Sequence, residues 1–232
     1  MLFRSIKAIS FDLDDTLWPI WPTIERAEKA LMEWLGLYAP MAAAMFASPG
    51  ALKDVRDDLT ASRPDLKHDL SAMRREAIRL ALTRAGENPL LAEQAFDVFF
   101  AERQRVTLYD DARSALEFLS ARFPLVSVSN GNADLERVGL APYFRAAISA
   151  REFGVGKPDP RIFHAAAGAV DVMPESVLHV GDDATLDALG ALNAGMQTAW
   201  LNRADHRWPH EATPHVTVVS LDQLCALFAQ ES

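Results

Sequence analysis

The sequence predicts an α/β protein whose parallel β-sheet is interrupted, after its first strand, by an inserted helical domain. Three observations predict it. Short apolar runs such as residues 125–129 (LVSVS) and 177–180 (VLHV) alternate with helical stretches through the second half of the chain, as βαβ units do. A similar run, residues 6–11 (IKAISF), stands alone near the N-terminal end with no partner strand close in sequence. Between them, residues 18–104 read as helix throughout. Such a stretch is too long for a loop, because structureless connections beyond about 15 residues are uncommon.

Residues 6–11 are expected to form a buried strand ending in acid, which joins the later sheet. In the inserted stretch, Ile24, Ala27, Leu31 and Trp34 recur at helical spacing. So do Leu70, Met73, Ala77 and Leu80, and then Ala92, Ala95, Phe96, Phe99 and Phe100. Pro22, Pro64 and Pro89 mark starts and breaks. After the insertion, the pattern predicts helix 112–122, strand 125–129, helix 135–138, strand 146–149, helix 160–170 and strand 177–180. Helix 184–194, strands 198–201 and 216–219, and helix 221–229 follow. The expected domains are therefore an α/β core of residues 1–17 plus 105–232 and a helical insertion of residues 18–104.

Composition narrows the function classes. Of 232 residues, 50% are apolar and 24% charged, an ordinary globular balance. No run approaches the roughly 18 apolar residues that span a bilayer. Residues 1–14 start basic but reach acid too soon for a secretory signal. Cys225 is the single cysteine, so intramolecular disulfides and thiolate metal clusters are excluded and a cytoplasmic setting is expected. The formal net charge is −9 and no basic run interleaves with aromatics, which argues against a nucleic-acid partner. The same field repels anions, so a site for phosphate would need positive charge of its own.

Four segments fall at predicted C-terminal strand ends, where open α/β sheets bind ligands. In Asp12-Leu13-Asp14-Asp15-Thr16, three carboxylates within four residues repel one another unless a cation or a catalytic role compensates. Asp12 and Asp14 suit a nucleophile or metal ligand and an acid/base; equally, Asp15 or Thr16 could cap a turn. Ser129-Asn130-Gly131 offers a hydroxyl and backbone N–H groups for phosphate oxygens, though the same composition makes ordinary loops. Lys157 precedes an Asp159-Pro160 helix start, as a point charge in a constrained turn or as a solvated lysine. Gly181-Asp182-Asp183, with Asp187 beyond, again sets acids at a strand end; Asp182 is the best metal ligand and Asp183 the best helix cap. Oxygen ligands without thiolate favour Mg²⁺.

Taken together and in this order, the four segments resemble the haloacid dehalogenase-like hydrolase superfamily. Its signatures read here as Asp12-Leu13-Asp14-Asp15-Thr16, Ser129-Asn130-Gly131, Lys157-Pro158, and Gly181-Asp182 with Asp187. The resemblance implies a Rossmann-like, doubly wound sheet with a helical C1 cap inserted after the first strand. It implies a phosphatase in which Asp12 is the nucleophile, Asp14 the general acid/base, and Ser129, Asn130 and Lys157 hold phosphate. Mg²⁺ would sit on Asp12, the Asp14 carbonyl and Asp182, supported by Thr16, Asp183 and Asp187. Dehalogenase-type members lack the acid two residues after the nucleophile, so Asp14 favours a phosphatase acting on a small phosphorylated metabolite. A phosphomutase or dehalogenase of the same superfamily, or a non-catalytic phospho-aspartate signalling or interaction protein, are the alternatives.

Other residues have plainer readings. His179 suits a satisfied core histidine, and Trp18 either the core or the site entrance. Arg74 and Arg75 suit a solvated helix face or a site-facing pair, and Asn202 and Arg203 border a strand end. His206, His210 and His215 lack the further ligand that a zinc site needs.

Overall fold

The computed structural model describes residues 5–48 and 51–229; Arg4 of the basic start lies outside the described residues. The run at residues 6–11 forms β1 (Ala8–Phe11), all four residues of which are buried, as in a strand covered on both faces. It is followed in the same unit by α6 (Ala112–Ser120), β2 (Leu125–Ser129), α7 (Leu135–Val138), β3 (Ala146–Ser149), α8 (Ala150–Phe153) and α9 (Pro160–Gly168). The unit closes with β4 (Val177–Gly181), α10 (Gly190–Asn193), β5 (Gln197–Leu201), β6 (Val216–Val218) and α11 (Leu221–Ala229). The strands form one sheet in the order β3-β2-β1-β4-β5-β6, with every neighbouring pair parallel. This is the α/β, Rossmann-like sheet that the sequence predicts. The sheet is built outward from β1, so the chain winds to one side through β2 and to the other through β4, a switch point at which ligands bind.

Side-chain alternation then decides what faces the site. In register, Ser10 of β1 lies opposite His179 of β4. On one face, Ile162, Phe163, Ala166 and Ala167 of α9 pack with Val126, Val128 and Val177 in a buried cluster. Phe163 meets the His179 ring edge-on at 5.0 Å, which sets Ser10 and His179 on that helix-covered face.

Two local differences from the sequence reading have physical causes. The expected helix 184–194 is instead a wide π-turn, Ala184–Leu189, followed by the short α10. Here Asp183 O accepts from both Asp187 N and Ala188 N, each at 3.1 Å. A π-turn of this kind displaces one side chain from the regular helical position, and such turns are frequent at functional sites. The short α8 carries too few residues to show a period; Ser149 caps it by accepting from Glu152 N, and Gly154 ends it at φ +87°.

The second unit, Ile20–Val106, is helical, and the first comprises Met1–Pro19 and Thr107–Ser232. The helices are α1 (Ile20–Tyr38), α2 (Pro40–Met45), α3 (Ala51–Ser62), α4 (Leu70–Arg84) and α5 (Ala92–Arg103). Its main core joins Ala27, Leu31 and Leu35 of α1 with Ile78 and Leu82 of α4 and Phe96 and Phe99 of α5. Along α4 the buried stripe is Met73, Ala77, Ile78, Ala81 and Leu82. Leu70 is 48% exposed, because it opens the helix beside the Asp69 cap, and Leu80 is only partly buried. Arg74 and Arg75 are not a solvated pair: their guanidinium groups lie 4.0 and 3.9 Å from the Phe99 and Phe96 ring centroids. Arg74 also donates to Glu28 at 3.0 Å. No described helix is long and apolar enough to cross a membrane.

Candidate active site

β1 ends at Phe11, and Asp12 N still donates to Val180 O at 2.9 Å, so Asp12 leaves the sheet directly beside β4. The chain then makes a closed turn: Leu17 N donates to Leu13 O (2.8 Å), Asp15 N to Trp18 O (2.7 Å), and Asp15 takes φ +58°. A non-glycine residue in the left-handed region is uncommon, and asparagine and aspartate tolerate it best. The turn points Thr16 back at the acids, where its hydroxyl lies 3.2 Å from both Asp12 Oδ2 and Asp182 Oδ1. Asp14 projects elsewhere and accepts from Trp18 Nε1 at 2.8 Å. Trp18 is fully buried, so it belongs to the support of the turn and not to an entrance.

Lys157 is buried and bridges two carboxylates, contacting Asp12 Oδ1 and lying 2.5 Å from Asp187 Oδ1. Asn130 holds the lysine's loop through paired bonds: Lys157 N donates to Asn130 Oδ1 (2.7 Å) and Asn130 Nδ2 donates to Lys157 O (2.9 Å). A Cβ on Gly156 would fall 2.6 Å from Asn130 Oδ1, so only glycine leaves room for this pairing. The Asn130 side chain is thus committed to the lysine loop. Ser129 is buried at the end of β2, with Oγ accepting from Gly131 N at 2.9 Å.

Asp187 reaches this centre through the wide turn. Its Oδ1 receives Lys157 and lies 3.3 Å from His179 Nε2, while its Oδ2 accepts from Asp183 N at 3.1 Å. Gly181 makes room for it, since a Cβ there would overlap the Asp187 carboxylate. Asp183 caps the turn by accepting from Thr185 N and Leu186 N. Asp182 is half-buried, and its carbonyl accepts from Trp200 Nε1 at 2.7 Å, across the Gly181–Trp200 register pair.

The charges do not balance. Burial opposes the Lys157 ammonium, but Asp12 and Asp187 together outweigh it and hold its pKa above the usual lysine range. Burial likewise opposes the Asp187 carboxylate, yet Lys157 and the His179 bond bring it down to about 2. Burial raises the Asp12 carboxyl well above its ordinary value, opposed by Lys157 and assisted by Asp187 and Asp182. Burial, with Asp187 and Asp15, pushes Asp182 up to about 7. Three carboxylates therefore face one ammonium. Asp12, Asp182 and Asp187 each offer an oxygen, all within 4.8 Å of one another. Fully ionised, the set would carry a residual charge of about −2, and an oxygen-only donor set of that charge fits a hard divalent cation such as Mg²⁺. Asp14 lies outside this group of carboxylates.

Arg203 and Asp111 meet the turn after β1 at the Thr16 carbonyl. Arg203 makes two bonds to Asp111 (2.8 and 3.0 Å), lies 3.4 Å from Thr16 O and stacks 4.1 Å from the Tyr109 ring centroid. Asp111 Oδ2 also accepts from Leu221 N at 2.8 Å. The sequence places Arg203 near a strand end but gives no sign of Asp111, whose position before α6 resembles a cap; its carboxylate makes no cap bond there. His210 lies 2.9 Å from Thr185 Oγ1, and His215 Nδ1 accepts from Thr198 N at 3.2 Å, so these two histidines face different partners.

A parallel sheet with buried carboxylates and a lysine at its switch point marks a class of α/β hydrolases. The family profile described as haloacid dehalogenase-like hydrolase matches residues 6–195, and the chain belongs to that family. It is 32% identical over 230 residues to the Escherichia coli (strain K12) 5-amino-6-(5-phospho-D-ribitylamino)uracil phosphatase YigB, covering 96% of each chain. It is 36% identical over 157 residues to the phosphoserine phosphatase of Thermus thermophilus, covering 65% of this chain and 63% of the relative. Among solved structures, the 2-haloacid dehalogenase from Pseudomonas syringae pv. Tomato DC3000 superposes with a TM-score of 0.90 at 37% identity, covering 98% of this chain and 100% of that one.

Proposed function

We propose that this hydrolase is a Mg²⁺-dependent phosphatase that cleaves phosphate monoesters of small metabolites through an aspartyl-phosphate on Asp12. The observation that carries the reading is Asp14, two residues beyond Asp12 and held by Trp18 Nε1 at 2.8 Å. A departing halide needs no proton, whereas a departing alkoxide does, and a carboxyl two residues beyond the nucleophile suits that task.

In the first step an Asp12 oxygen attacks phosphorus, the ester P–O bond breaks, and the Asp14 proton passes to the leaving oxygen. In the second, Asp14 takes a proton from water as that water attacks phosphorus. The Asp12–phosphorus bond breaks, and orthophosphate and the free carboxylate result. Lys157 holds the nucleophile and offers positive charge to the transferring group; Ser129 and neighbouring backbone N–H groups suit its oxygens. Thr16 orients Asp12 and Asp182. Asp12 and Asp182, with the Asp14 carbonyl, are the residues for Mg²⁺, which when bound supplies charge neutralisation to the phosphoryl group. The helical unit occupies the sequence position of the family's C1 cap.

Dehalogenation is the second reading, favoured by the full-length similarity to a 2-haloacid dehalogenase. One experiment separates them. Phosphate release is measured from p-nitrophenyl phosphate, 5-amino-6-(5-phospho-D-ribitylamino)uracil, phosphoserine and nucleoside monophosphates, in Mg²⁺ and in EDTA, beside halide release from a 2-haloacid. Metal-dependent phosphate release, abolished in folded Asp12→Asn, is expected. Halide release without phosphate release would replace the proposal with the second reading.

A further inference from the structure

The least expected feature of the sheet is polar. Ser10 and His179 lie opposite each other in the central strand pair and are 0% and 1% exposed. An aliphatic pair would pack here with no hydrogen bond to satisfy, whereas a buried imidazole and hydroxyl cost stability unless both find partners. Both do. Ser10 Oγ lies 2.9 Å from His179 Nδ1, and His179 Nε2 lies 3.3 Å from Asp187 Oδ1.

The direction of these bonds follows from the acceptors. Asp187 also receives Lys157 and Asp183 N, so it is an ionised, acceptor-only carboxylate. His179 must therefore carry a proton on Nε2, and a second proton on Nδ1 would leave the buried Ser10 hydroxyl with no acceptor among the described residues. Nδ1 is then a lone pair, and Ser10 donates to it. The relay runs from Ser10 through His179 to Asp187 Oδ1, the same oxygen that anchors Lys157. The ring is fixed on one side by the strand pairing and on the other by the Phe163 edge contact at 5.0 Å.

We propose that His179, with its tautomer fixed by Ser10, is a positioning residue. By holding Asp187 Oδ1 in place, it holds Lys157 against Asp12. At its ammonium Lys157 meets the nucleophile and Asp187, while the Asn130 bonds fix only its backbone, so Asp187 is the partner that can set where the ammonium lies. The catalytic consequence rests on the phosphatase reading; the tautomer does not.

Two measurements test it. Long-range ¹H–¹⁵N correlation on ¹⁵N-histidine-labelled protein, without substrate, should assign His179 as the Nε2–H tautomer. In Ser10→Ala the lock is gone, and the second tautomer should appear. An Nδ1–H ring in the wild type, or a Ser10→Ala spectrum identical to it, overturns the proposal whether or not the protein is a phosphatase. In turnover, His179→Leu should lose about 10–100-fold in kcat with KM within about twofold, the usual effect of removing an orienting partner. His179→Gln, whose amide N–H sits as many bonds from Cα as Nε2, should recover most of that loss. Equal loss in both variants, or no loss in His179→Leu, would assign the histidine to packing alone. If His179→Leu does not fold, the tautomer of the wild type and of Ser10→Ala decides.

Discussion

Replacing Asp187 by asparagine keeps the shape of the side chain and changes only what it can accept. Three donors surround it: Lys157 Nζ at 2.5 Å, His179 Nε2 at 3.3 Å and Asp183 N at 3.1 Å. A carboxylate accepts all three, whereas an amide offers one oxygen and an NH₂ group that is itself a donor. In the best orientation the oxygen stays with Lys157 and His179, and the NH₂ group faces Asp183 N. One unsatisfied N–H costs about 1–3 kcal/mol, and the weakened bond to a buried ammonium costs about as much again. Relief of repulsion with Asp12 and Asp182 offsets part of this. The net expectation is a loss of about 2–4 kcal/mol, at the lower edge of what breaking a buried pair costs. The Asp187 carboxyl is held down to about 2, and that drop from the ordinary value corresponds to about 2–3 kcal/mol, in agreement. For a chain of this size each kcal/mol moves Tm by about 2–4 °C, so Asp187→Asn should melt about 4–16 °C lower at pH 7. Because the folded pKa is depressed, the stabilisation is present above the ordinary carboxylate value and is lost as pH falls through about 2. The gap between variant and wild type should therefore close on acidification. The assay is urea and thermal unfolding in EDTA between pH 3 and pH 7. A gap below about 1 kcal/mol at pH 7, or one that widens in acid, would refute the reasoning.

The remaining predictions use the same contacts. Gly181→Ala drives a methyl group into the Asp187 carboxylate; it should cost about 1–3 kcal/mol and lower kcat more than KM. Gly36→Ala, in α1 where an added Cβ meets nothing within 4 Å, should instead stabilise by about 0.5–1 kcal/mol. A destabilised Gly36→Ala in thermal unfolding would contradict the packing described for α1. Arg203→Ala strips Asp111 of two bonds and Tyr109 of its cation, with an expected loss of about 2–3 kcal/mol by urea denaturation. Arg203→Lys should not restore it, because an ammonium cannot reproduce the planar fork. The Cys225 thiol is pushed up to about 11 by burial and by Asp222 and Asp111, so at pH 8 it should alkylate about a hundredfold more slowly than a free cysteine. The rate should climb with pH toward that value; reaction as fast as a model thiol at pH 8 would contradict the burial.

How much of the protein was legible in its sequence follows from how local each cause is. Strands β2, β3 and β4 and helices α7 and α11 are bounded by residues that carry their own signals: short apolar runs, caps, glycines and prolines. The α/β class could therefore be read from periodicity alone. The acids at residues 12, 14, 182 and 187 stood out because clustered carboxylates at strand ends demand an explanation. Tertiary structure decided what each of them touches. Asp14 turned to Trp18 and Asn130 to the peptide of Lys157, and sequence spacing cannot report such choices, whereas Asp183 caps its own turn as its position before the helix predicts. The wide turn at Ala184–Leu189 arose because Asp187 is drawn to Lys157 and His179, partners 30 and 8 residues away. In α4 the buried face followed α1 and α5 and left Leu70 in solvent, since burial depends on which helices lie alongside. The pairing of Ser10 with His179 and of Arg203 with Asp111 spans 169 and 92 residues. Those contacts exist because β1 and β4 are neighbours and because β5 delivers Arg203 beside the start of α6. What the sequence by itself determined was the set of elements and the acidic clusters; the sheet order, which brings distant residues together, decided their partners.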